Sequence, residues 1–498
     1  MARRICSPLV STALSSKGFP LRTVIVGAGS AGLMCAWKLS ADENHEVVVV
    51  DAGIDPGPEV PPELRTDILL PPEYYWPYID EDTGNVLPRG KVFGGSSAVN
   101  AAAAVRGHPW CYDAWGSEVW SWEACLPAFR AIEADQQFGQ DDHHGSNGPI
   151  AITRYEQGAF DLAFQDAYRS HGYHPVADHN APGALGFGPF PTNRVDGVRM
   201  STLLTVLPQI RTRPNVELRP GSEVLRVLVS DGVARGVILR DAQGQHTVEA
   251  DRVILSAGTF GTPEILFRSG IGPGDSLRAA DLPVVAHAPE LGTNLSDHFI
   301  LQMDVEVTDP TALAMPGGQG TLLTFELPGD RHPQAHVFAY HAAFFDPTAG
   351  PHTAAVTSSL MTPESRGHLE LGRGPARVHL NHLSAPVDRS RAACVVTAVA
   401  DIVDGLAAQG RLKLPDAPWW RREDLQQACR EKAVSYHHPV GTCRMGREGT
   451  SVVDEHLQVR GVEQLMVADA SVMPSLPRAQ TNLATMMIGY RAAGFATR

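Results

Sequence analysis

The spacing of apolar and polar positions changes along the chain, and the change predicts two kinds of sheet. Residues 24–26 and 47–50 are short, unbroken apolar runs separated by a helical pattern, which is typical of parallel strands buried on both faces. Residues 253–255 and 465–468 repeat this kind of run near the middle and the end of the chain. We therefore expect strands from distant parts of the sequence to form one parallel sheet.

Between residues 300 and 383 the pattern alternates with a period of two, which predicts antiparallel strands with one buried face. Helical patterns at residues 160–171, 392–409 and 423–432 flank this region. The six alternating segments, with turn signals between them, are 301–307, 321–327, 335–341, 354–361, 368–373 and 377–383. They predict a six-stranded antiparallel sheet with flanking helices.

The first two apolar runs enclose a glycine motif. Gly27, Gly29 and Gly32 follow the first run directly, and Asp51 ends the second. Gly27 allows a tight turn, Gly29 lets the backbone approach a pyrophosphate, and Gly32 lets the helix pack closely on the strand. The helix N-terminus offers free N–H groups to phosphates, and Asp51 can accept hydrogen bonds from a ribose. This order predicts a Rossmann-type dinucleotide site; the alternative is a glycine-rich turn without a ligand.

Composition indicates a globular enzyme with more than one core. The chain has 498 residues, of which 43% are hydrophobic and 19% charged, enough for several cores. The net charge of −14 is spread without long acidic runs, which argues against nucleic acid or an anionic membrane as a partner. Seven scattered cysteines without a CxxC pair favour a reduced, cytoplasmic location.

The sequence contains no predicted membrane segment. No run of about 18 apolar residues occurs, so no membrane span is expected. Arg3 and Arg4 invite a targeting interpretation of residues 1–20, but the stretch that follows them is too polar and interrupted for the apolar core of a signal peptide. We interpret residues 1–20 as a disordered extension.

Two further features are candidates for the chemistry, and a third, a pair of adjacent histidines, is not. Residues 89–107 form a second glycine-rich segment, which suggests backbone packed against a flat ligand or, alternatively, a buried small-residue helix. His438 precedes Pro439 and is either a proton-accepting base or a buried histidine in a proline turn. His143 and His144 are not expected to bind a metal, because adjacent side chains point apart and no matching ligand set is evident.

Beyond the glycine turn, four segments resemble the glucose-methanol-choline (GMC) oxidoreductases. Residues 90–113 (GKVFGGSSAVNAAAAVRGHPWCYD) resemble the first family signature, with Phe93 where a smaller apolar residue or Trp is usual. Residues 258–272 resemble the second signature. Residues 436–446 (YHHPVGTCRMG) resemble the segment with the catalytic histidine, and residues 465–477 resemble the strand and loop after it. The resemblance extends from about residue 23 to the C-terminus.

The resemblance implies an α/β fold, α+β overall, with two discontinuous domains. A Rossmann-like domain that binds FAD would contain the parallel sheet, and a substrate-binding domain would contain the antiparallel sheet. The implied boundaries are 21–150, 216–299 and 455–498 for the FAD-binding domain, and 151–215 and 300–454 for the substrate-binding domain. Some family members attach FAD through a histidine at the place of Val99, so non-covalent FAD is expected here.

Matched residue by residue, the resemblance places the cofactor mainly against backbone and small side chains. The N-terminal turn would hold the pyrophosphate and ribose, and the N-terminus of the last helix would stabilise the negative charge of reduced flavin. The expected cofactor contacts are Gly27, Gly29, Ser30, Ala31, Gly32, Asp51, Ala52, Arg89, Gly95, Ser96, Asn100, Ala101, Val224, Ala257, Gly258, Asp469, Ala470, Asn482 and Thr485.

The resemblance also implies the reaction. His438 matches the catalytic base, which would take the hydroxyl proton of an alcohol while hydride passes to flavin N5, giving an aldehyde or ketone. Many members carry a second catalytic His or Asn before the last helix. Counting back from IGY in that helix places Gln480 there, with Asn482 two residues on, so the second group is Gln480 or Asn482. A lyase or a non-catalytic flavoprotein on the same scaffold is the alternative.

The sequence indicates the class of the substrate and two alternatives for the electron acceptor. Aromatic residues at 74–78 and the position of His437 favour a primary or aryl alcohol over a charged sugar acid. The acceptor is O₂ or a carrier. The segments HHGSNGPI and GYRAAGF faintly resemble the mycofactocin-associated branch, whose electrons go to a carrier, and this favours a dehydrogenase.

Overall fold

The described part of the protein contains a parallel sheet, a larger antiparallel sheet and the helices that cover them. The computed structural model describes residues 21–497 except 67–69, 310–319, 331, 333, 343–347 and 351. The predicted extension, residues 1–20, lies outside the described residues. None of the helices within these ranges is both long and apolar enough to cross a membrane.

The strands and α-helices are numbered here in chain order. The strands are β1 (Leu21–Val26), β2 (His45–Val50), β3 (Tyr75–Ile79), β4 (Val86–Gly90), β5 (Glu133–Asp135), β6 (Ile150–Ile152), β7 (Gly186–Pro189), β8 (Arg194–Val195), β9 (Val198–Arg199), β10 (Val216–Arg219), β11 (Glu223–Ser230), β12 (Val233–Asp241), β13 (Gly244–Glu249), β14 (Arg252–Leu255), β15 (Ile271–Gly272), β16 (Ala286–His287), β17 (Phe299–Val307), β18 (Thr321–Phe325), β19 (Ala335–His341), β20 (Thr353–Leu360), β21 (His368–Glu370), β22 (Arg377–His379), β23 (Leu412–Lys413), β24 (Val434–Ser435) and β25 (Leu465–Val467). The α-helices are α1 (Ser30–Leu39), α2 (Pro62–Thr66), α3 (Pro109–Asp113), α4 (Trp122–Ile132), α5 (Ala159–Ser170), α6 (Thr202–Thr205), α7 (Leu207–Arg211), α8 (Gly258–Arg268), α9 (Gly274–Ala279), α10 (Pro386–Ala408), α11 (Leu425–Lys432) and α12 (Thr481–Ala496).

The predicted parallel sheet is confirmed, and its strands come from both ends of the chain. The order is β10-β2-β1-β14-β25, and every neighbouring pair is parallel. The apolar runs in β1, β2, β14 and β25 are buried, which explains why they are apolar at successive positions rather than at alternate ones. β10 adds an edge strand that the sequence pattern did not assign to this sheet.

The predicted antiparallel sheet is confirmed, but its membership differs from the expectation. β17, β18, β19 and β20 are four of the six predicted strands and form its centre, in the order β23-β17-β20-β19-β18-β7, with β24 also paired to β17. The other two predicted segments form a separate hairpin, β21–β22. A period of two identifies a strand but not its partner, and the added strands β7, β23 and β24 are too short to show a period.

Two buried clusters match the two sheets. One surrounds the parallel sheet and includes residues of α1 and α12. The other lies between the antiparallel sheet and helices α5, α10 and α11, as the flanking helical patterns predict. The residue boundaries of the two domains stay a prediction.

Helix α12 packs directly on α1, and Gly489 makes this approach possible. A Cβ at residue 489 would collide with the backbone of Ala31. We predict that Gly489→Ala lowers the free energy of unfolding by about 1–3 kcal/mol, because the two helices must move apart. Chemical denaturation of the purified protein measures this change.

The matched control is Gly494→Ala on the same helix. A Cβ at residue 494 meets nothing within 4 Å, so this change should leave stability unaltered or raise it by about 0.5–1 kcal/mol through helix propensity. Equal effects of the two substitutions would contradict the packing argument.

Candidate active site

A cavity of about 720 Å³ lies where the two sheets meet. On one side it is lined by residues that follow β1, β2, β14 and β25, at the carboxyl ends of the parallel strands. On the other side it is lined by residues of β17, β19 and β24 in the antiparallel sheet. Ligands of open α/β sheets bind at such carboxyl ends, so the fold brings a nucleotide-type site and a second chemical surface into one space.

Nearly all of the expected cofactor contacts line this cavity. Gly32 is the exception, because it does not line the cavity. A Cβ there would collide with the carbonyl oxygen of Gly27, so Gly32 allows the helix to pack closely on the strand. The members of the expected set that line the cavity are Gly27, Gly29, Ser30, Ala31, Asp51, Ala52, Arg89, Gly95, Ser96, Asn100, Ala101, Val224, Ala257, Gly258, Asp469, Ala470, Asn482 and Thr485, together with His438 and Gln480.

The turn before α1 fits a pyrophosphate. Gly29, the residue before α1, has no side chain that could accept from the first N–H groups of the helix, so these groups can bind an anion. Gly95, at φ +51°, approaches Gly29 so closely that a Cβ would lie 2.8 Å from the Gly29 Cα. The two glycine-rich segments therefore form one backbone cradle, which larger side chains would fill.

Asp51 faces the cavity with capacity for further hydrogen bonds. Its Oδ2 accepts the N–H of Ala28 and its Oδ1 accepts the N–H of Gly53, each at 2.6 Å. Burial raises the pKa of Asp51, while these two N–H donors oppose the rise. Each carboxylate oxygen accepts one backbone hydrogen bond and keeps lone-pair capacity for a hydroxyl in the cavity. The arrangement fits a ribose.

Asp469 joins β25 to the start of α8. Its Oδ2 accepts from the Gly258 N–H at 2.9 Å and the Thr262 hydroxyl at 2.6 Å, and its Oδ1 accepts the Ser471 N–H at 2.8 Å. The sequence indicated a cofactor contact here. The structure adds that this side chain has three protein donors, so its main effect is to hold two segments of the cavity wall together.

His438 lies on the loop after β24, and Asp297 fixes that loop. Asp297 Oδ1 accepts the His438 N–H at 2.7 Å, and Oδ2 accepts the Ser435 hydroxyl at 2.6 Å. Burial opposes the charge of Asp297, but the hydrogen bond and charge of His382 and the Ser435 hydroxyl outweigh burial and lower its pKa to about 2. Asp297 is therefore an anion beside the histidine loop.

Arg89 restrains the same loop through the residue before His438. Its Nη1 donates to the His437 carbonyl at 3.1 Å. His437 has a φ of +63°, a left-handed conformation that is unfavourable for a residue with a side chain. This bend sets the direction of the chain at His438.

A second histidine determines which nitrogen of His438 is free. The Nδ1 atoms of His298 and His438 are 3.0 Å apart, and His298 Nε2 is 3.1 Å from the Met361 carbonyl. Because a carbonyl only accepts, His298 carries its proton on Nε2 and accepts at Nδ1 when neutral. His438 must then donate from Nδ1, and its Nε2 has a lone pair and no hydrogen-bond partner among the described residues.

Both histidines are neutral in this environment. Burial lowers the pKa of His298 to about 4. Burial, and then the nearby His298, place the pKa of His438 well below its usual range, against the opposing charge of Asp297. Neutrality of both rings supports the assignment of protons above.

The two candidates for the second catalytic group have different positions. Asn482 Oδ1 accepts the Ser30 hydroxyl at 2.7 Å, so it joins α12 to the glycine turn. Gln480 Nε2 donates to the Tyr436 hydroxyl at 3.0 Å, and the Tyr436 ring is 4.3 Å from the His438 ring. Gln480, rather than Asn482, is thus connected to the histidine loop.

Aromatic side chains form the wall beside His438. Phe338 stacks with Tyr436 at 5.9 Å and with Tyr340 at 5.8 Å between ring centroids. The carboxylates among the described lining residues follow β2 or β25 or lie in β11 or α8, and none belongs to the antiparallel sheet; they are Asp51, Glu223, Glu264 and Asp469. Within the described residues, the wall beside the histidine is therefore aromatic and carries no acidic side chain of its own.

Three residues of this site carry no sequence-based expectation: Asp297, His298 and Tyr436. The first two precede β17 and the third follows β24, and these two strands pair in the antiparallel sheet. The sequence holds no local signal for this pairing, because β24 has only two residues. The one sequence signal for a functional role of Asp297 and His298 is that they are two adjacent polar residues directly before an apolar strand.

The cluster around His144 corrects one sequence argument. His143 and His144 do not point apart: their Nε2 atoms lie 3.9 and 2.9 Å from Asp178 Oδ2. His144 Nδ1 is also 3.0 Å from Glu133 Oε1. Burial disfavours a charged His144, but the hydrogen bonds of Asp178 and Glu133 outweigh burial and raise its pKa to about 9. Since both ring nitrogens have carboxylate partners, we interpret His144 as a structural cation rather than a metal ligand.

Comparisons with known proteins cover nearly the whole chain. Family models described as GMC oxidoreductase match residues 21–300 and 363–489. The mitochondrial choline dehydrogenase of Mus musculus is 32% identical over 98% of this chain and 91% of that protein. An uncharacterized GMC-type oxidoreductase of Mycobacterium tuberculosis is 32% identical over 94% of this chain and 98% of that protein. The crystal structure of pyridoxine 4-oxidase from Mesorbium loti superposes with a TM-score of 0.86 at 29% identity, covering 95% of this chain and 98% of that one.

The backbone cradle predicts a specific defect in cofactor retention. Gly95→Ala should lower the FAD bound per protein chain, because its Cβ would press on the Gly29 backbone where the pyrophosphate is expected. The control is Gly84→Ala, which also has a positive φ but open space around its Cβ. Flavin absorbance relative to protein concentration measures both variants. Equal FAD content in the two would contradict the cradle.

The raised pKa of His144 predicts a pH dependence of stability. Because the folded pKa of about 9 exceeds the usual 6.5, the stabilisation is complete below about pH 6.5 and is lost as the pH rises through about 9. The loss should reach about 3 kcal/mol in the wild type and be largely absent in His144→Asn. Denaturant unfolding at several pH values measures it, with the partly exposed His246→Asn as control. An unchanged profile in His144→Asn would contradict the assignment.

Proposed function

We propose, since the chain belongs to the GMC oxidoreductase family, that it oxidises a neutral primary or aryl alcohol to the aldehyde with His438 as the base. The observation that carries this proposal is the free Nε2 of His438 in a cavity shared with the glycine turn. The enzyme class is an FAD-dependent alcohol oxidoreductase. The identity of the base, the partner groups and the substrate class are the proposed part.

The residues of the cavity fit FAD. The cradle of Gly29 and Gly95 would accept the pyrophosphate, and Asp51 would accept hydrogen bonds from the adenosine ribose. When bound, FAD supplies the acceptor for the hydride that leaves the alcohol carbon. Val99 stands where some family members carry the histidine that is linked to FAD, and its side chain has no nucleophile, so we expect FAD to be held without a covalent bond at this position.

His438 would remove the hydroxyl proton. Its Nε2 lone pair is available because Nδ1 donates to His298. Proton transfer makes the His438 ring a cation, which still donates from Nδ1 to His298 and lies close to the anionic Asp297. Asp297 favours the charged ring at the moment it forms, while burial and the neighbouring His298 keep the ring neutral beforehand. This is the behaviour that a general base requires.

The aromatic wall supports a neutral alcohol. Phe338, Tyr340 and Tyr436 line the cavity as a group of stacked rings, which suits an aryl or alkyl group. A carboxylate partner for a cationic substrate is absent from the described residues of this wall. Choline is the second candidate, because aromatic faces also hold quaternary ammonium groups.

Anaerobic mixing of the holoenzyme with alcohols tests the proposal. Benzyl alcohol and short primary alcohols should bleach the flavin absorbance near about 450 nm, and choline should do so less effectively. Conversion of an alcohol while the flavin stays oxidised would indicate a lyase. Absence of bleaching with every alcohol tested would contradict alcohol oxidation altogether. Once an alcohol has bleached the flavin, addition of O₂ or of an artificial carrier shows which of the two reoxidises it.

The base assignment predicts the effect of one substitution. His438→Gln should slow anaerobic bleaching by about 10²–10⁴, because an amide cannot take up the proton. The control is His437→Gln, the adjacent histidine, which should give a much smaller loss. Stopped-flow absorbance measures both, with FAD content determined first. A His438→Gln enzyme that is reduced at the wild-type rate would contradict the assignment.

A further inference from the structure

We propose that Tyr436 is a catalytic residue whose hydroxyl donates a hydrogen bond to the oxygen of the bound alcohol, and that Gln480 positions this hydroxyl. The inference rests on the proposed function, because it assigns a role in the same reaction. It replaces the expectation that Gln480 or Asn482 is itself the second catalytic group.

Tyr436 is held on three sides beside the base. Its backbone N–H donates to the His298 carbonyl at 2.8 Å. Its ring lies 4.3 Å from the His438 ring and stacks on Phe338 at 5.9 Å. Gln480 Nε2 donates to its hydroxyl oxygen at 3.0 Å. The ring is therefore fixed in the cavity wall next to the base, to which an alcohol must come to lose its proton, and Gln480 holds the hydroxyl of that ring.

The Tyr436 hydroxyl has a proton that it can still donate. A phenol oxygen that accepts from Gln480 still has its own O–H to donate, and no acceptor for it is present among the described residues. Burial raises the pKa of Tyr436 well above its usual value, so the hydroxyl keeps its proton. By contrast, the neighbouring Tyr340 hydroxyl donates to Gln302 Oε1 at 2.9 Å.

The side chain of Gln480 is buried and forms its hydrogen bond with Tyr436. Gln480 is 5% exposed, and its Oε1 is buried without a partner among the described residues. Gln480 precedes the first residue of α12, so the helix fixes its backbone. A buried amide that makes one good hydrogen bond, to a side chain in the cavity wall, is suited to orienting that side chain.

The reaction needs a donor at this place. As His438 takes the hydroxyl proton, the alcohol oxygen becomes more negative until the hydride has left. A hydrogen-bond donor aimed at that oxygen stabilises the transition state more than the ground state. Tyr436 keeps its proton throughout: it neither gains nor loses a covalent bond, and the proton transferred is the one from the alcohol.

Removal of the hydroxyl tests the role. Tyr436→Phe keeps the ring and its stacking, and should lower the rate constant of anaerobic flavin reduction by about 10²–10³. The substrate concentration for half-maximal rate should change little, and FAD content and thermal stability should match the wild type. The matched control is Tyr340→Phe, because Tyr340 lies in the same wall but its hydroxyl is bonded to Gln302. This substitution should lower the rate constant of flavin reduction much less.

A double substitution separates direct from indirect action of Gln480. If Gln480 acts through Tyr436, Gln480→Leu should be milder than Tyr436→Phe, and the double variant should be no slower than Tyr436→Phe alone. A larger loss in Gln480→Leu, or additive losses, would show that Gln480 contacts the substrate itself and would overturn the proposal. A wild-type rate in Tyr436→Phe would also overturn it.

Failure of this inference can be distinguished from failure of the proposed function. If alcohols bleach the flavin of the wild type but Tyr436→Phe is unaffected, only the role of Tyr436 is wrong. If no alcohol reduces the wild-type flavin, the oxidation itself is wrong, and the role of Tyr436 in it falls as well.

Discussion

The proposed active site depends on one buried hydrogen bond, the contact between the Nδ1 atoms of His298 and His438. This bond fixes the positions of the ring protons only because the other nitrogen of His298, Nε2, faces the carbonyl of Met361. That carbonyl fixes the proton of His298, which in turn fixes the proton of His438. The Met361 carbonyl, just after β20, thus determines which nitrogen of the proposed base has a free lone pair. Asp297 adds the negative charge that favours the ring after it takes up a proton.

The two sheets contribute different parts of this site, and a few side chains join them. The parallel sheet supplies the glycine turn and Asp51, while the antiparallel sheet supplies the histidine loop and the aromatic wall. Asn482 connects α12 to the glycine turn through Ser30, and Asp469 connects β25 to α8. Because Gln480 precedes the same α12, one helix positions a residue of the cofactor side and a residue of the histidine side.

The nucleotide half could be predicted from sequence because its determinants are local. The glycine turn and Asp51 lie within one strand-turn-helix-strand unit, and each has a geometric requirement that few other residues meet. The histidine half could be predicted only in part. His438 carries a recognisable motif, but its partners His298 and Asp297 are about 140 positions away and reach it through strand pairing, which a period of two does not specify.

The most direct test of the central claim is the protonation state of His438 in the holoenzyme. Histidine-selective ¹⁵N labelling, with His438→Gln used to assign the resonances, reports which ring nitrogens carry protons. At neutral pH we expect a neutral His438 with its proton on Nδ1 and an unprotonated Nε2. A proton on Nε2, or a doubly protonated ring, would contradict it, because the base would then have no lone pair to offer the alcohol.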